Sequence, residues 1–353
     1  MLDSIDAIAE FMHAPNPWKA AAGAHEAEHA NLQWARDTDL IRTEDSASVL
    51  TSWNIAHSAA AAFPRARGNG LLYVAKWITW GVVFDDMFGK GINTPSHAMA
   101  VLDHTTTVLH ADTRREPPVP LLGCSKALLD YMAEGDRTMS ATWMARWRHS
   151  VHTYFSGIAA KYAATLAPAP PTLDQIRHIR QRDIAMYMYA DLIEFFDGFE
   201  LPGALAYTPV RDRMYALLAQ AIAYQNDLFS AYRDQKSPSS TDTALNSVLT
   251  IARTRNIPFL QAAVTIRDLY LQRERELHRQ RDTYLDQARA LGYDKTTIER
   301  LAAHTDSLVD LVPGVFWGHV ATAKRGYLNN AHLTTSSPEL VADYDQLLAA
   351  EHR

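Results

Sequence analysis

The segment Met214-Tyr-Ala-Leu-Leu-Ala-Gln-Ala-Ile-Ala-Tyr-Gln-Asn226-Asp227-Leu-Phe-Ser230-Ala-Tyr-Arg233-Asp234 decides the fold class. Its first half is apolar on most sides, the pattern of a buried helix. Asn226, Ser230 and Asp234 then recur every fourth residue and share one helical face over two turns. A surface helix could carry the same polar stripe, but the apolar flanks argue for burial, and buried polar groups need partners. An amide oxygen, a hydroxyl and a carboxylate are hard oxygen donors of the kind Mg²⁺ prefers. About 140 residues upstream, the apolar run from Leu71 ends in Phe84-Asp85-Asp86-Met87-Phe88. An Asp-Asp pair alone is most often a solvated helix end. Together, two oxygen-donor clusters rooted in apolar helices suit a substrate with a pyrophosphate head and an apolar tail.

The rest of the chain bounds that reading. Its 353 residues are 47% hydrophobic and 21% charged, a globular composition with ample core material. A net charge of −6 carries no nucleic-acid footprint. The single cysteine, Cys124, excludes an internal disulfide, fits a reducing compartment, and reads as a small buried hydrophobe rather than a nucleophile. The acidic start Met1-Leu-Asp3-Ser-Ile-Asp6 has no basic region of the kind that opens a signal peptide. The Leu71–Phe84 run is too short for a bilayer and contains Lys76. A soluble, cytoplasmic protein without membrane or nucleic-acid partners is expected.

Helical periodicity dominates, and no segment alternates with period two. The spacing predicts helices over about 35–62, 70–87, 95–110, 122–163, 173–197, 209–234, 244–253, 258–291 and 295–331. Proline-rich and polar breaks separate most of them. No linker is long enough to divide the chain. One all-α domain over residues 1–353 is expected, with a core from about 16 to 331 and peripheral or flexible ends at 1–15 and 334–353.

With both acidic motifs placed, the chain resembles the bacterial class I terpene synthases. Asp85-Asp86-Met87-Phe88 resembles that family's aspartate-rich motif, and Asn226 through Asp234, including Arg233, its second metal motif. Arg180, 46 residues before Asn226, falls at the position of a pyrophosphate-sensing arginine. Asp183 matches the linker position and Ile184 the effector whose carbonyl faces the substrate. Asn16-Pro17, Trp34, Phe63-Pro64 and Leu201-Pro202 agree with further family landmarks, so the likeness runs from about 16 to 327. Three departures stand out. Arg325-Gly326-Tyr327, preceded by Lys324, replaces an adjacent Arg-Tyr pair, so Gly326 turns Tyr327 about 100° around a helix. The first motif ends in Phe88 rather than a third carboxylate. Asp234 replaces the commoner glutamate, one methylene longer.

The resemblance implies a helical bundle around a central apolar cavity and a cluster of three Mg²⁺ ions that ionises an isoprenyl diphosphate. Asp85 would bridge two ions, Asn226, Ser230 and Asp234 would hold the third, and Asp86 would orient a nearby cation. Arg180, Arg233, Lys324 or Arg325, and Tyr327 would donate to the diphosphate. Trp77, Trp80, Phe84, Tyr154, Phe155, Tyr187, Phe316 and Trp317 are the candidate cavity aromatics, whose π faces attract a carbocation. The expected reaction is cyclisation with release of pyrophosphate, farnesyl diphosphate being favoured and geranylgeranyl diphosphate second. A homodimer is compatible with this reading. Two other readings stand beside it: a chain-elongating prenyltransferase, disfavoured because the second motif is not Asp-Asp-x-x-Asp, and an inactive helical binding protein. His25-Glu26-Ala27-Glu28-His29 matches a zinc-protease pattern but sits in a polar segment of a chain with 15 histidines.

Overall fold

The computed structural model describes residues 5–15, 18–90, 92, 94–235, 245–322, 340 and 342–344, without the side chains of 5–7, 89, 90, 232 and 233. Every regular element among them is a helix. In chain order these are α1 (Ile5–Met12), α2 (Ala24–Asp37), α3 (Glu44–Ser52), α4 (Ile55–Ala62), α5 (Gly68–Lys90), α6 (Pro95–Leu109), α7 (Gly123–Thr138) and α8 (Ala141–Leu166). They continue with α9 (Leu173–Asp183), α10 (Met186–Asp197), α11 (Gly203–Ala206), α12 (Pro209–Gln235), α13 (Ser247–Arg255), α14 (Phe259–Ala290) and α15 (Lys295–Ala321).

The helix α12 is the axis of the arrangement, packed by α9, α10, α13, α14 and α15. Its run Leu217, Leu218, Ala219, Ala221 and Ile222 is at most 1% exposed, as its apolar sequence requires. The helix α5 lies among α2, α4, α7 and α10. Along one face it carries Tyr73, Trp77, Trp80, Phe84 and Phe88, steps of three or four residues. Trp77 stacks on Trp80 at 4.9 Å, Trp80 on Phe84 at 4.6 Å, and Phe84 meets Phe88 edge-on at 5.0 Å. The Asp85-Asp86 pair sits between Phe84 and Phe88, the last two members of this aromatic spine. No described helix is long and apolar enough to cross a membrane.

Several expected helices are subdivided, each for a local reason. The 35–62 helix is three, and the first starts earlier, at Ala24. Thr43 caps α3 by accepting from the Ser46 amide, and Asn54 at φ 52° turns the chain into α4. Asparagine tolerates that left-handed conformation better than most residues. The 122–163 helix breaks where Ser140 accepts from the Trp143 amide and starts α8. The 173–197 helix breaks at Ala185, which holds φ 67°. An alanine there costs about 1 kcal/mol or more, strain of the kind found at functional positions. The last helix ends at Ala321 rather than 331, and residues beyond Thr322 up to 339 lie outside the described set.

Close approach of helices needs small residues. A Cβ on Gly314 of α15 would meet the Ala61 and Ala62 carbonyl oxygens of α4 at 2.7 Å, so only glycine permits this crossing. Away from the acidic motifs, Arg146 donates to Glu194 at 2.6 Å and Arg211 to Asp191 at 2.8 Å, tying α8, α10 and α12 through buried charges. Burial pushes the Glu194 carboxyl up to about 7, with Arg146 pulling it back. Asp197, at the end of α10, is pushed up to about 6 by the same cause, with Arg65 and Arg300 opposing. Its Oδ2 has no hydrogen-bond partner among the described residues. A carboxyl whose folded pKa exceeds its unfolded value of 3.8 binds its proton more tightly when folded. Its contribution therefore favours folding in acid, and is lost as pH rises through about 6. Asp197→Asn should flatten this part of the stability–pH profile between about pH 4 and 6 and raise the melting temperature at pH 7, read by thermal unfolding across pH.

Candidate active site

The two motifs are connected through α9. Asp85 is exposed at the end of the α5 spine, where it lines an opening with Phe88, Ile158, Lys161, Tyr162 and Asp183. Asp86 is buried, 6% exposed. Asp183, the last residue of α9, links this opening to α12 through Arg180.

Arg180 is the hub. Its Nη1 donates to both Asp183 oxygens at 3.0 and 3.1 Å, its Nε to Asp227 Oδ1 at 3.1 Å, and its Nη2 to Asn226 Oδ1 at 2.8 Å. A planar guanidinium with five donors suits such a spread of acceptors. Burial pushes the Asp183 carboxyl up to about 6, while Arg180 and Lys161 pull it down. Asp227 is likewise raised by burial and held down by Arg180 and the Ser247 amide, which donates to its Oδ2 at 2.9 Å. The effector position Ile184 follows directly, at φ −72° and ψ −4°, and Ala185 then turns the chain into α10.

The break between α9 and α10 is seated against α8. A Cβ on Gly157 would lie 2.5 Å from the Asp183 amide nitrogen and 2.8 Å from the Arg182 carbonyl carbon. Glycine therefore lets α8 touch the backbone of the Arg182–Asp183 step, one residue before Ile184.

On the α12 face, Ser230 Oγ donates to Asp234 Oδ2 at 2.7 Å. Both side chains are buried, 4% and 3% exposed. Asn226 is half-buried and its amide nitrogen lies 3.3 Å from His319 Nε2 on α15. The donor set of amide oxygen, hydroxyl and carboxylate fits a hard divalent cation, and the pairing of Ser230 with Asp234 places two of the three donors together. Asn226 Oδ1 also has a second lone pair beyond the one that accepts from Arg180. Among the described residues no three His, Cys, Asp or Glu side chains converge on a metal position, and His25, Glu26 and His29 are exposed on α2.

The candidate cavity aromatics divide among three places. Trp77, Trp80, Phe84 and Phe155 form one wall of α5 and α8, all at most 3% exposed, with Tyr154 beside Phe155 at 5.9 Å. Phe316 packs against Phe229 at 5.1 Å, on the α15 side of α12. Its neighbour Trp317 turns its indole N–H to the Pro15 carbonyl at 2.9 Å. Tyr187 accepts from Gln181 at 2.7 Å, next to the α9–α10 break. The side chain of Arg233, and Asn16, Pro17, Lys324, Arg325 and Tyr327 altogether, lie outside the described residues.

Sequence reasoning missed four participants. Asp227 lies inside the quoted motif but faces Arg180 rather than the Ser230–Asp234 pair. Asn246 donates to that pair from the start of α13, and its only sequence signal is an asparagine before an apolar run. Lys161 and His319 reach the site from α8 and α15 and carry no local signature.

Known proteins resemble this chain in sequence and in fold. The family model described as terpene synthase family 2, C-terminal metal binding, matches residues 76–276, more than half of the chain. The (-)-alpha-amorphene synthase of Streptomyces viridochromogenes is 26% identical over 266 residues, covering 75% of this chain and 76% of that protein. The 7-epi-alpha-eudesmol synthase of the same species is 22% identical over 226 residues, covering 62% of this chain and 65% of that one. The chain thus spans just under two thirds of the latter's length. Among solved structures, a-eudesmol synthase superposes with a TM-score of 0.75 at 19% identity, over 87% of this chain and 97% of that one. Wild-type cucumene synthase does so at 0.74 and 24% identity, over 87% and 99%. From α5 into α14 the chain matches one family's metal-binding region, and it belongs to the terpene synthases.

Proposed function

We propose that the protein is a Mg²⁺-dependent class I terpene cyclase that ionises a linear isoprenyl diphosphate and closes its tail into a cyclic hydrocarbon or alcohol. Farnesyl diphosphate is the favoured substrate, since relatives such as the (-)-alpha-amorphene synthase are named for cyclising it. The observation that carries the reading is the hydrogen-bonded line from Asp183 through Arg180 to Asn226, with Asp85 across the same opening. It links the opening beside Asp85 to Asn226 on α12, residues far apart in sequence, and so supports reading the two acidic motifs as one site.

Asp85 on one side and Asn226, Ser230 and Asp234 on the other would hold the cations, three in the full reading. Bound Mg²⁺ would supply Lewis-acid stabilisation of the departing pyrophosphate. Arg180 would present its guanidinium to the diphosphate while staying anchored on Asp183, so that anion binding is felt at the Ile184–Ala185 turn. The α5 spine supplies apolar and π surface behind the acidic mouth, where water would otherwise quench a cation. A cytoplasmic location and a homodimer are compatible with this role.

Asp85→Ala should lower Mg²⁺-dependent pyrophosphate release by about a hundredfold or more while leaving the melting temperature within a few degrees, because the residue is exposed. The check is a coupled pyrophosphate assay beside a thermal melt. Wild-type turnover in that variant would remove Asp85 from the cation site.

A further inference from the structure

Asn246 is 1% exposed and uses both ends of its side chain. Its Oδ1 accepts from the Val248 and Leu249 amides at 3.0 and 3.3 Å, capping α13. Its Nδ2 faces three acceptors of α12: the Asp227 carbonyl at 2.9 Å, Ser230 Oγ at 3.2 Å and Asp234 Oδ2 at 3.0 Å. Beside it the Ser247 amide donates to Asp227 Oδ2. The start of α13 is therefore stapled to the same α12 face that carries the proposed metal donors.

The chemistry of these bonds is directional. Asn246 Nδ2 has two protons for these three acceptors, so one goes to the Asp227 carbonyl and the other is shared between Ser230 Oγ and Asp234 Oδ2, which lie 2.7 Å apart. Ser230 gives its own proton to Asp234, and the two contacts together restrict its hydroxyl. Asp234 Oδ2 accepts from Ser230 and from the shared Asn246 proton, which restrains the carboxylate. Groups that orient metal ligands without touching the metal are worth about 10–100-fold in metal affinity.

We propose that Asn246 is a positioning residue of the cation site, holding the Ser230 hydroxyl and the Asp234 carboxylate in their binding orientation from the N-cap of α13. The proposal rests on the reading of the α12 face as a metal site, and its test separates the two. Manganese binding to the full-length protein in the presence of inorganic pyrophosphate is followed by electron paramagnetic resonance, with metal-free melting curves alongside. Asn246→Ser keeps a good N-cap but is too short to reach Ser230 and Asp234, whereas Asn246→Ala loses cap and donor together. Both variants should bind Mn²⁺ about 10–100-fold more weakly, with the Mg²⁺ half-saturation of pyrophosphate release rising in step. Only the alanine variant should also melt clearly lower. If Asn246→Ser binds Mn²⁺ as the wild type does, Asn246 is merely a cap and the proposal is wrong, whether or not Asn246→Ala folds. Absence of Mn²⁺ binding in the wild type would instead remove the metal reading, and this one with it.

Discussion

Arg180→Met is expected to be the most damaging single substitution, because it removes turnover and folding stability together. The side chain is 14% exposed and compensates two carboxylates, Asp183 and Asp227, that are 5% and 3% exposed. Breaking a buried charge pair by removing one partner leaves the other uncompensated and costs about 3–5 kcal/mol. Here the arginine serves two such partners and also the Asn226 amide oxygen. Part of that loss is recovered if the carboxyls take up protons, and Asp183, pushed up to about 6 even with its arginine, does so readily. The variant should therefore be less unstable near pH 5 than at pH 8, the reverse of a site that depends on ionised carboxylates. Arg180→Lys should restore part of the stability but little of the pyrophosphate release, since an ammonium cannot span three acceptors on two helices. Urea denaturation at the two pH values, beside a pyrophosphate assay, reads both parts. Equal stability of Arg180→Met and wild type at pH 8 would show that the arginine is not the hub described.

Gly157→Ala should have the second largest effect, through backbone rather than chemistry. The added methyl would sit 2.5 Å from the Asp183 amide nitrogen, and the atoms opposing it are mostly backbone, which cannot swing aside. Overpacking of this kind costs about 1–3 kcal/mol. The α9–α10 break must shift, and Arg180 and Asp183 are carried on it. Pyrophosphate release should fall by more than about tenfold, since small misplacements of positioning groups cost that much or more. The measurement is kcat and KM for pyrophosphate release with a parallel thermal melt. A variant that melts lower but turns over normally would separate the break from catalysis.

The long helices were legible because their apolar residues recur with helical period: α12 and α5 are found within a few residues of where the sequence puts them. Subdivision was less so. Ala185 at φ 67° has nothing in its type to mark a left-handed residue, and the Met139–Ser140 break lacks proline or glycine. Asn54, a residue prone to that conformation, was the more readable of the three. In the site, Asn226, Ser230 and Asp234 follow from one-helix periodicity, which local spacing alone provides. Arg180 came from family likeness, since no periodicity joins α9 to α12. Asn246, Lys161 and His319 depend on how α13, α8 and α15 pack, information spread over the whole chain.

In the proposed function, the acidic motifs ionise an isoprenyl diphosphate and the apolar interior directs the cation to a ring. The most direct test is incubation of the purified protein with geranyl, farnesyl and geranylgeranyl diphosphates, with and without Mg²⁺, followed by gas chromatography–mass spectrometry. A cyclic terpene hydrocarbon or alcohol is expected, formed only with Mg²⁺ and most efficiently from farnesyl diphosphate. No Mg²⁺-dependent product from any of the three, or only linear elongated diphosphates when isopentenyl diphosphate is added, would contradict it.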